Sequence, residues 1–161
     1  MIYTAILLSE FLVLTFLGWF FHFCLHRKWS GQFYRSHQYH HSVLYPPNSF
    51  LSEEYREPKK DNSVILFAIV FAPFVIVQLL LTILQVIPLV LGIVMLVEMG
   101  IIAFLNNALH DSFHLYKSFW HKFWFFDKLQ KLHLIHHQRQ NTNYGIFNFW
   151  FDRIFRTYKR K

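Results

Sequence analysis

The stretch His133-Leu134-Ile135-His136-His137 is the last of four short histidine clusters in this chain. The three earlier clusters are His22-Phe23-Cys24-Leu25-His26, His37-Gln38-Tyr39-His40-His41 and His110-Asp111-Ser112-Phe113-His114. Side chains three or four residues apart lie on one face of a helix, so each cluster can aim two or three imidazoles at one point. Imidazole is a common metal ligand that suits iron, copper, zinc and nickel. The repeated spacing therefore predicts a metal site.

The clusters contain ten of the eleven histidines, and only His121 lies outside them. We interpret His121 as a bystander at the membrane interface, because its neighbours are aromatic and basic. The predicted metal ligands are His22, His26, His37, His40, His41, His110, His114, His133, His136 and His137. Ten imidazoles exceed what one ion can bind, whereas two ions with four or five ligands each would fit and would keep coordination positions open. No catalytic residue beyond these ligands is predicted.

Composition places this metal site in a membrane protein. The chain has 161 residues, of which 54% are hydrophobic and 20% aromatic, more than an ordinary soluble domain contains. Three apolar runs, residues 2–25, 64–84 and 89–109, are long enough to cross a hydrocarbon core of about 30 Å. We therefore predict an all-α integral membrane protein with one domain, 1–161, and about three transmembrane helices. The net charge of +7 favours anionic lipid headgroups rather than nucleic acid.

The distribution of charge predicts the orientation of these spans. All sixteen Lys and Arg residues lie in segments 27–60 and 117–161. Basic residues concentrate on the cytoplasmic side of a membrane, so segments 26–62 and 110–161 should form a cytoplasmic histidine-rich helical cap, with the N-terminus outside. The small size of the chain favours the bacterial inner membrane, and the endoplasmic reticulum fits the same topology. Residues 117–131 mix aromatic and basic side chains and predict an amphipathic helix on the membrane surface.

Two acidic residues lie inside predicted spans. Glu10 and Glu98 each precede the first histidine of an HxxxH cluster by twelve residues. A carboxylate near the bilayer centre costs roughly 3 kcal/mol, so each should face other helices. One interpretation is an interhelical hydrogen bond, for which Ser9 and Gln78 are candidate partners. The other is a polar end to a substrate channel.

Three polar side chains near the third cluster are candidates to support the ligands: Asn106, Asn107 and Asp111. The two asparagines lie four and three residues before His110, hence on its face of the helix. They can hydrogen-bond the second nitrogen of a ligand, or they can form a cap or a helix–helix contact at the end of the span.

The order of the motifs resembles that of a known family. HxxxH, HxxHH, HxxxH and HxxHH are followed by Asn143-Tyr144-Gly145 and by the ending Phe151-Asp152-Arg153-Ile154-Phe155-Arg156-Thr157-Tyr158. This pattern, from His22 onward, is similar to that of the fatty acid hydroxylase/sterol desaturase superfamily. The family usually has Trp where this chain has Phe151, and Gly where it has Arg156.

The resemblance implies a non-haem di-iron enzyme that uses O2 to hydroxylate or desaturate a lipid, either a fatty acyl chain or a sterol. It also implies supporting roles for Asn143 and Asp152. Spacing alone would equally allow zinc, which can occupy such a site in an isolated preparation. Two electrons must come from outside, because the chain has no flavin, haem or nicotinamide motif. The family implies a ferredoxin or a cytochrome b5-type donor.

Three alternatives remain open on the sequence. Carotenoid ring hydroxylases share similar clusters and the same chemistry. A zinc-dependent membrane hydrolase would need a general base beside the metal, and only Asp111 is well placed for that role. A metal transporter would place its ligands near the bilayer midplane within broken helices, whereas these histidines follow the ends of the spans.

Overall fold

The computed structural model of this chain describes residues 1–56 and 63–161, except for the side chains of residues 63–70. The α-helices in the described part are α1 (Ile2–Leu25), α2 (Gln32–Tyr39), α3 (Ser63–Ile83), α4 (Leu89–Phe113), α5 (Phe126–Gln138) and α6 (Trp150–Ile154). Over the same residues the structure contains no β-strand; a single backbone bridge pairs Ser52 with Leu115. The all-helical prediction is confirmed.

Two helices are long and apolar enough to cross a membrane, α1 and α4. They correspond to the predicted spans 2–25 and 89–109, and α4 continues past its span to carry His110. The predicted span 64–84 coincides with α3, whose described side chains, Phe71–Ile83, form a shorter apolar helix. Three spans therefore remain a prediction. Part of the predicted cytoplasmic segment 26–62, residues 57–62, lies outside the described residues.

The chain divides into two compact units. The first unit comprises Met1–Leu14 and Pro58–Phe104, and the second comprises Thr15–Glu57 and Leu105–Lys161. All ten clustered histidines belong to the second unit. A single domain over 1–161 stays a prediction.

In the first unit, a tight turn brings α3 back against α4. Gln85 ends α3 with a left-handed φ of 58°, a conformation that commonly terminates helices. The side-chain amide of Gln78 donates to the carbonyl of Gly92 at 2.9 Å. A Cβ on Gly92 would lie only 2.4 Å from the hydroxyl oxygen of Thr82, so glycine permits this close approach of the two helices.

Glu10 lies in the first unit without the partners that the sequence suggested. Its two carboxyl oxygens are buried and accept no hydrogen bond from the described residues. Ser9 donates to the carbonyl of Ala5, and Gln78 donates to Gly92, so the predicted hydrogen bonds to Glu10 are wrong. Glu98 is close enough to act on Glu10 electrostatically. A channel role for the two acids stays a prediction.

The second unit has a small aromatic core. Phe50, Leu109, Phe113 and Phe126 are buried together. The sequence predicted one amphipathic helix over residues 117–131, and this prediction is wrong. The aromatic core explains why. A short 3₁₀ turn, Phe119–Lys122, is followed by a bend at Phe123 and a second turn, so that α5 begins at Phe126 with its ring in the core.

His121 has a structural role in that turn. The backbone N–H of Ser118 donates to its Nδ1 at 3.0 Å, which completes a capping box at the start of the 3₁₀ turn. His121 is not among the described residues that are grouped closely enough to hold a metal ion, in agreement with its exclusion from the predicted ligands.

We expect Arg156→Gly to stabilise the protein. Arg156 follows α6 with an exposed side chain and a φ of 59°, which costs an L-residue roughly 1–2 kcal/mol more than glycine. After allowing for the greater freedom of glycine in the unfolded chain, the net gain should be about 1 kcal/mol. Thermal unfolding in detergent should shift upward by about 2–4 °C.

Arg153→Gly is the matched control, because Arg153 lies within α6 and glycine disfavours a helix interior by about 1 kcal/mol. Destabilisation by both substitutions would contradict the assignment of strain to Arg156.

Candidate metal centre

Four separate elements bring the clustered histidines together. The end of α1 carries His22 and His26, α5 carries the last cluster, and the end of α4 carries His110 and His114, the latter just past the helix. His37 lies on α2, and a single π-helical turn, His40–Leu44, continues α2 with the rest of the second cluster. Such turns are frequent at functional sites. Nine of the ten histidines are buried, and His110 is 22% exposed.

Ring nitrogens of nine histidines converge in two groups, each of which can hold a metal ion. Within each group the candidate ligand atoms lie within 4.8 Å of one another. Group one contains His22, His26, His37, His41 and His136, and group two contains His40, His114, His133 and His137. His110 belongs to neither group but lies beside group two, with ring centroids 5.0 Å from His40 and 4.9 Å from His133.

Each HxxHH motif is shared between the groups. His37 and His41 enter group one while His40 enters group two, and His133 and His137 enter group two while His136 enters group one. Successive residues on a helix diverge by about 100°, so the first and last histidines point together and the middle one points elsewhere. Two imidazoles of each HxxHH motif therefore aim at one point, as predicted, and the third enters the other group.

The spacing of the nitrogens in group one fits a shared ion. The Nε2 atom of His26 lies 3.0 Å from that of His136 and 2.9 Å from that of His37, which in turn lies 3.1 Å from that of His41. Nitrogens bound to one ion at about 2.1 Å lie about 3 Å apart in adjacent octahedral positions. A neutral ring nitrogen carries one proton or one lone pair, so these contacts cannot all be good hydrogen bonds. Four lone pairs directed at one cation would satisfy them all.

Backbone carbonyls orient the rings. The Nδ1 atoms of His22, His136 and His137 lie 2.7, 2.6 and 2.8 Å from the carbonyls of Tyr144, Thr142 and Tyr45. A carbonyl only accepts hydrogen bonds, so each Nδ1 must carry the proton. The lone pair is then on Nε2, which is the arrangement that metal-binding histidines require. In agreement, the Nε2 atoms of His22 and His137 are buried without a hydrogen-bond partner among the described residues.

Burial keeps these rings neutral. Loss of solvation, reinforced by neighbouring rings, lowers the pKa of His26 and His137 to about 3, although the carbonyl of Tyr45 partly opposes the shift at His137. The pKa is also well below its usual value for His37, His40, His41, His114, His133 and His136. Neutral imidazole is the form that binds metal, so the burial suits the donor set.

A buried carboxylate fixes the segment that supplies two of these carbonyls. Asp152 is fully buried and accepts hydrogen bonds from the backbone N–H groups of Tyr144 and Gly145, both at 2.8 Å. The indole of Trp19 and the hydroxyl of Thr157 also donate to it, at 3.2 and 2.7 Å. Asp152 therefore acts on His22 through Tyr144 and does not contact the ring itself.

Asn143 fixes the same segment from the other side. Its amide donates to the carbonyls of Leu132 and Lys159, and its side-chain oxygen accepts the N–H of Lys159. The residue adopts a φ of 52°, a conformation that asparagine tolerates well. Asn143 thereby holds in place the residues on either side of it, Thr142 and Tyr144, whose carbonyls accept hydrogen bonds from the histidine rings.

The loop after the second cluster supplies the remaining carbonyls. Tyr45 accepts from His137, and Phe50 lies 3.4 Å from Nδ1 of His114. Arg56 holds this loop, because its guanidinium donates to the carbonyls of Leu44, Ser49 and Leu51. Its backbone N–H also donates to the hydroxyl of Tyr45.

The polar residues predicted near the third cluster are only partly brought to the site. Asn107 donates to Asp111 at 3.2 Å, and the other carboxyl oxygen of Asp111 lies 3.8 Å from Nδ1 of His110. Asn106 is buried against Gly18, one helical turn before both His110 and His22. Glu10 and Glu98 lie in the first unit and contribute to neither group.

Sequence reasoning did not find the backbone carbonyl acceptors of Tyr45, Phe50, Thr142 and Tyr144, nor the role of Arg56 in holding the loop. A backbone carbonyl leaves no signal in residue identity. The one available signal was the Asn-Tyr-Gly motif with its later aspartate, which indicated the segment but not its function.

Comparison with known proteins agrees with this geometry. The family model described as fatty acid hydroxylase matches residues 7–157. The chain belongs to the fatty acid hydroxylase family. Searches of curated proteins and of solved structures returned no match.

Membership of the fatty acid hydroxylase family implies an oxidoreductase with a membrane hydroxylase- or desaturase-type function. The two apolar helices of this hydroxylase-family chain are consistent with membrane integration, and its histidine groups can bind metal ions.

We expect Gly145→Ala to destabilise the protein and lower its metal content. An added Cβ would lie 2.0 Å from the carbonyl oxygen of Asn148 and 2.9 Å from the carboxylate of Asp152. The backbone must shift to relieve this overlap, at a cost of about 1–3 kcal/mol, and Tyr144 would move with it. Thermal unfolding and metal analysis of the purified protein measure both effects.

Gly100→Ala is the matched control, because nothing lies within 4 Å of its Cβ position. Equal behaviour of the two variants would contradict the positioning role of the Asn143–Gly145 segment.

We also expect the metal-free protein to be sensitive to acid. The buried histidines have a lowered pKa in the fold, whereas the unfolded chain binds protons below its ordinary pKa of about 6.5. The free energy of unfolding should therefore fall as the pH decreases from about 6.5 towards 3, by about 1.4 kcal/mol per pH unit for each such histidine. Helical circular dichroism against pH, after chelation, measures the loss.

Bound metal should move this transition to lower pH, because protons must then displace the ion. A metal-free protein equally stable at pH 8 and pH 5 would contradict the burial of neutral rings.

Proposed function

We propose that this protein is a membrane di-iron oxygenase that hydroxylates or desaturates a C–H bond of a lipid. The observation that carries the proposal is the pair of buried histidine groups, with five and four members, in a chain of the fatty acid hydroxylase family. A six-coordinate ion with four or five protein ligands keeps one or two coordination positions for O2. Zinc can occupy the same nitrogens in a purified sample, so the proposal of iron rests on the family.

The reaction balances with two external electrons. In hydroxylation, one atom of O2 enters the C–H bond and the other leaves as water, with two electrons and two protons consumed. In desaturation, two hydrogens leave the lipid and both oxygen atoms leave as water. Bound iron would supply the activation of O2. The chain itself would orient the ligands through the carbonyls of Tyr45, Thr142 and Tyr144 and would exclude water by burial.

The helix arrangement supports three spans. The rings of His22 and His110, near the C-terminal ends of α1 and α4, lie 6.3 Å apart, so these two ends meet. Two spans whose C-terminal ends meet on one side of a membrane require a third crossing between them. Helix α3, with 21 residues, is about 31 Å long, which matches a hydrocarbon core.

An apolar pocket supports a lipid substrate, a fatty acyl chain or a sterol. Its volume is about 330 Å³, and its walls are Leu105, Leu109, Trp120, Phe125, Leu129 and Phe147. Leu109 belongs to the aromatic core with Phe113, whose ring centroid lies 5.2 Å from that of His133. The pocket is therefore one layer of side chains from group two, and its lining suits an alkyl segment.

The charge distribution supports a cytoplasmic metal centre and an external electron donor. The segments that carry all sixteen Lys and Arg also carry or adjoin the histidine clusters, which the positive-inside rule places on the cytoplasmic side, with the N-terminus outside. A ferredoxin or a cytochrome b5-type protein would deliver electrons to this face. The bacterial inner membrane remains the favoured location.

Rival functions find less support. A zinc hydrolase needs a free general base at the metal, but Asp152 accepts hydrogen bonds from four donors, and Asp111 lies beside His110, outside both groups. A transporter would place its ligands within the spans, whereas these groups draw on helix ends, α2 and α5. Carotenoid ring hydroxylation remains a choice of substrate within the same chemistry.

Metal analysis and lipid profiling together test the proposal. The protein purified in detergent after growth with iron should contain about two equivalents of iron, and with a reductant and lipid it should consume O2. Cells that express it should contain a hydroxylated or desaturated lipid that control cells lack. His136→Ala should abolish the product, because His136 contacts both His22 and His26 within group one.

His121→Ala is the matched control, since it removes the histidine that caps a 3₁₀ turn outside both groups. Unchanged profiles of fatty acids, sterols and carotenoids, with metal bound, would remove the support for an oxygenase. Zinc-dependent hydrolysis would favour the rival enzyme, and metal uptake without turnover would favour the transporter.

A further inference from the structure

We propose that the two metal positions are unequal: group one is closed, and group two opens to the surroundings at His110, with Asp111 as a positioning residue for that ring. The inference rests on the proposed metal centre but goes beyond it, because it assigns exchange and small-molecule access to one of the two positions.

The members of group one are buried, and the tail packs over three of them. Its five histidines are all at most 9% exposed. Two of its rings, His22 and His136, are fixed through Nδ1 by buried backbone carbonyls at 2.7 and 2.6 Å. The Tyr144 ring packs over His22, His26 and His136 at centroid distances of 5.5–5.9 Å. An ion held here has no exposed ligand through which exchange can begin.

Group two lacks a buried fifth member. The first group takes both histidines of its HxxxH motif, His22 and His26, whereas the second takes His114 alone. The missing counterpart is His110, which lies against the group but keeps 22% of its surface exposed. Its ring centroid is 5.4 Å from that of His114, so the ring is within reach of the position that group two defines.

The partner of His110 also differs in kind. Four other rings place Nδ1 against a backbone carbonyl, which the surrounding fold immobilises. His110 instead has the carboxylate of Asp111, which is 34% exposed and 3.8 Å away, beyond direct hydrogen-bonding distance. Asn107 donates to that carboxylate from one turn earlier on α4. A long exposed contact restrains a ring less than a short buried one, so His110 is the ligand that can move.

Isotope exchange of zinc tests the inequality, because zinc binds the same nitrogens without redox chemistry. The purified protein is loaded with two equivalents of natural zinc, mixed with excess ⁶⁷Zn, and sampled by mass spectrometry. We expect two phases of equal amplitude, the fast one at least about tenfold faster, as for a site that loses the support of one ligand.

Single substitutions identify the phases. His110→Gln and Asp111→Asn should accelerate the fast phase about tenfold, or remove that equivalent, and leave the slow phase unchanged. His26→Gln should remove the slow equivalent. Asp127→Asn, an exposed aspartate in the first turn of α5, is the matched control and should change neither phase.

Exchange of both equivalents in one phase would overturn the inference and leave the proposed function intact. An equal effect of His110→Gln on both phases would do the same. A protein that binds no zinc or iron would overturn the inference and the proposed function together. The wild-type phases and Asp111→Asn decide the matter even if a histidine variant fails to fold.

Discussion

Nine uncharged imidazole rings share one buried volume, and the constraint on which the structure depends is that each ring nitrogen carries either a proton or a lone pair. Rings packed with Nε2 atoms about 3 Å apart would compete for hydrogens unless the lone pairs meet at a cation. The backbone resolves the choice by accepting Nδ1–H from His22, His136 and His137. The metal-binding form of these three rings is thus selected by a carbonyl before any ion arrives.

Residues distant from the rings hold those carbonyls in position. Asp152 accepts hydrogen bonds from the N–H groups of Tyr144 and Gly145. The guanidinium of Arg56 donates hydrogen bonds to the carbonyls of the loop around Tyr45. Asp152 also accepts the indole N–H of Trp19, one turn before His22 on α1. Helix α1, the tail and the ligands are therefore joined in one hydrogen-bond network. Its buried members cost roughly 1–3 kcal/mol each when left without a partner, so the network has few tolerated substitutions.

The sequence predicted the helical class, the apolar helices α1 and α4 and the convergence of the histidines, because spacing and hydrophobicity report which residues share a helix face. It did not predict that His40 and His136 would point away from their neighbours, since that depends on what packs against each helix. The prediction of one helix over residues 117–131 failed for a similar reason. The pattern is amphipathic, but Phe126 packs in the core and begins a new helix. Backbone carbonyl acceptors such as that of Thr142 leave no trace in a side-chain pattern.

Each half of the chain contributes one histidine ring to the metal group that the other half mainly forms. The half that carries His37 and His41 contributes His40 to group two, and the half that carries His133 and His137 contributes His136 to group one. Neither group can be completed by a fragment, so separately produced halves would each lack one nitrogen ligand until they associate. A full set of donors in either group therefore requires both halves, since the first half alone supplies four of the five donors of group one and the second half alone supplies three of the four donors of group two.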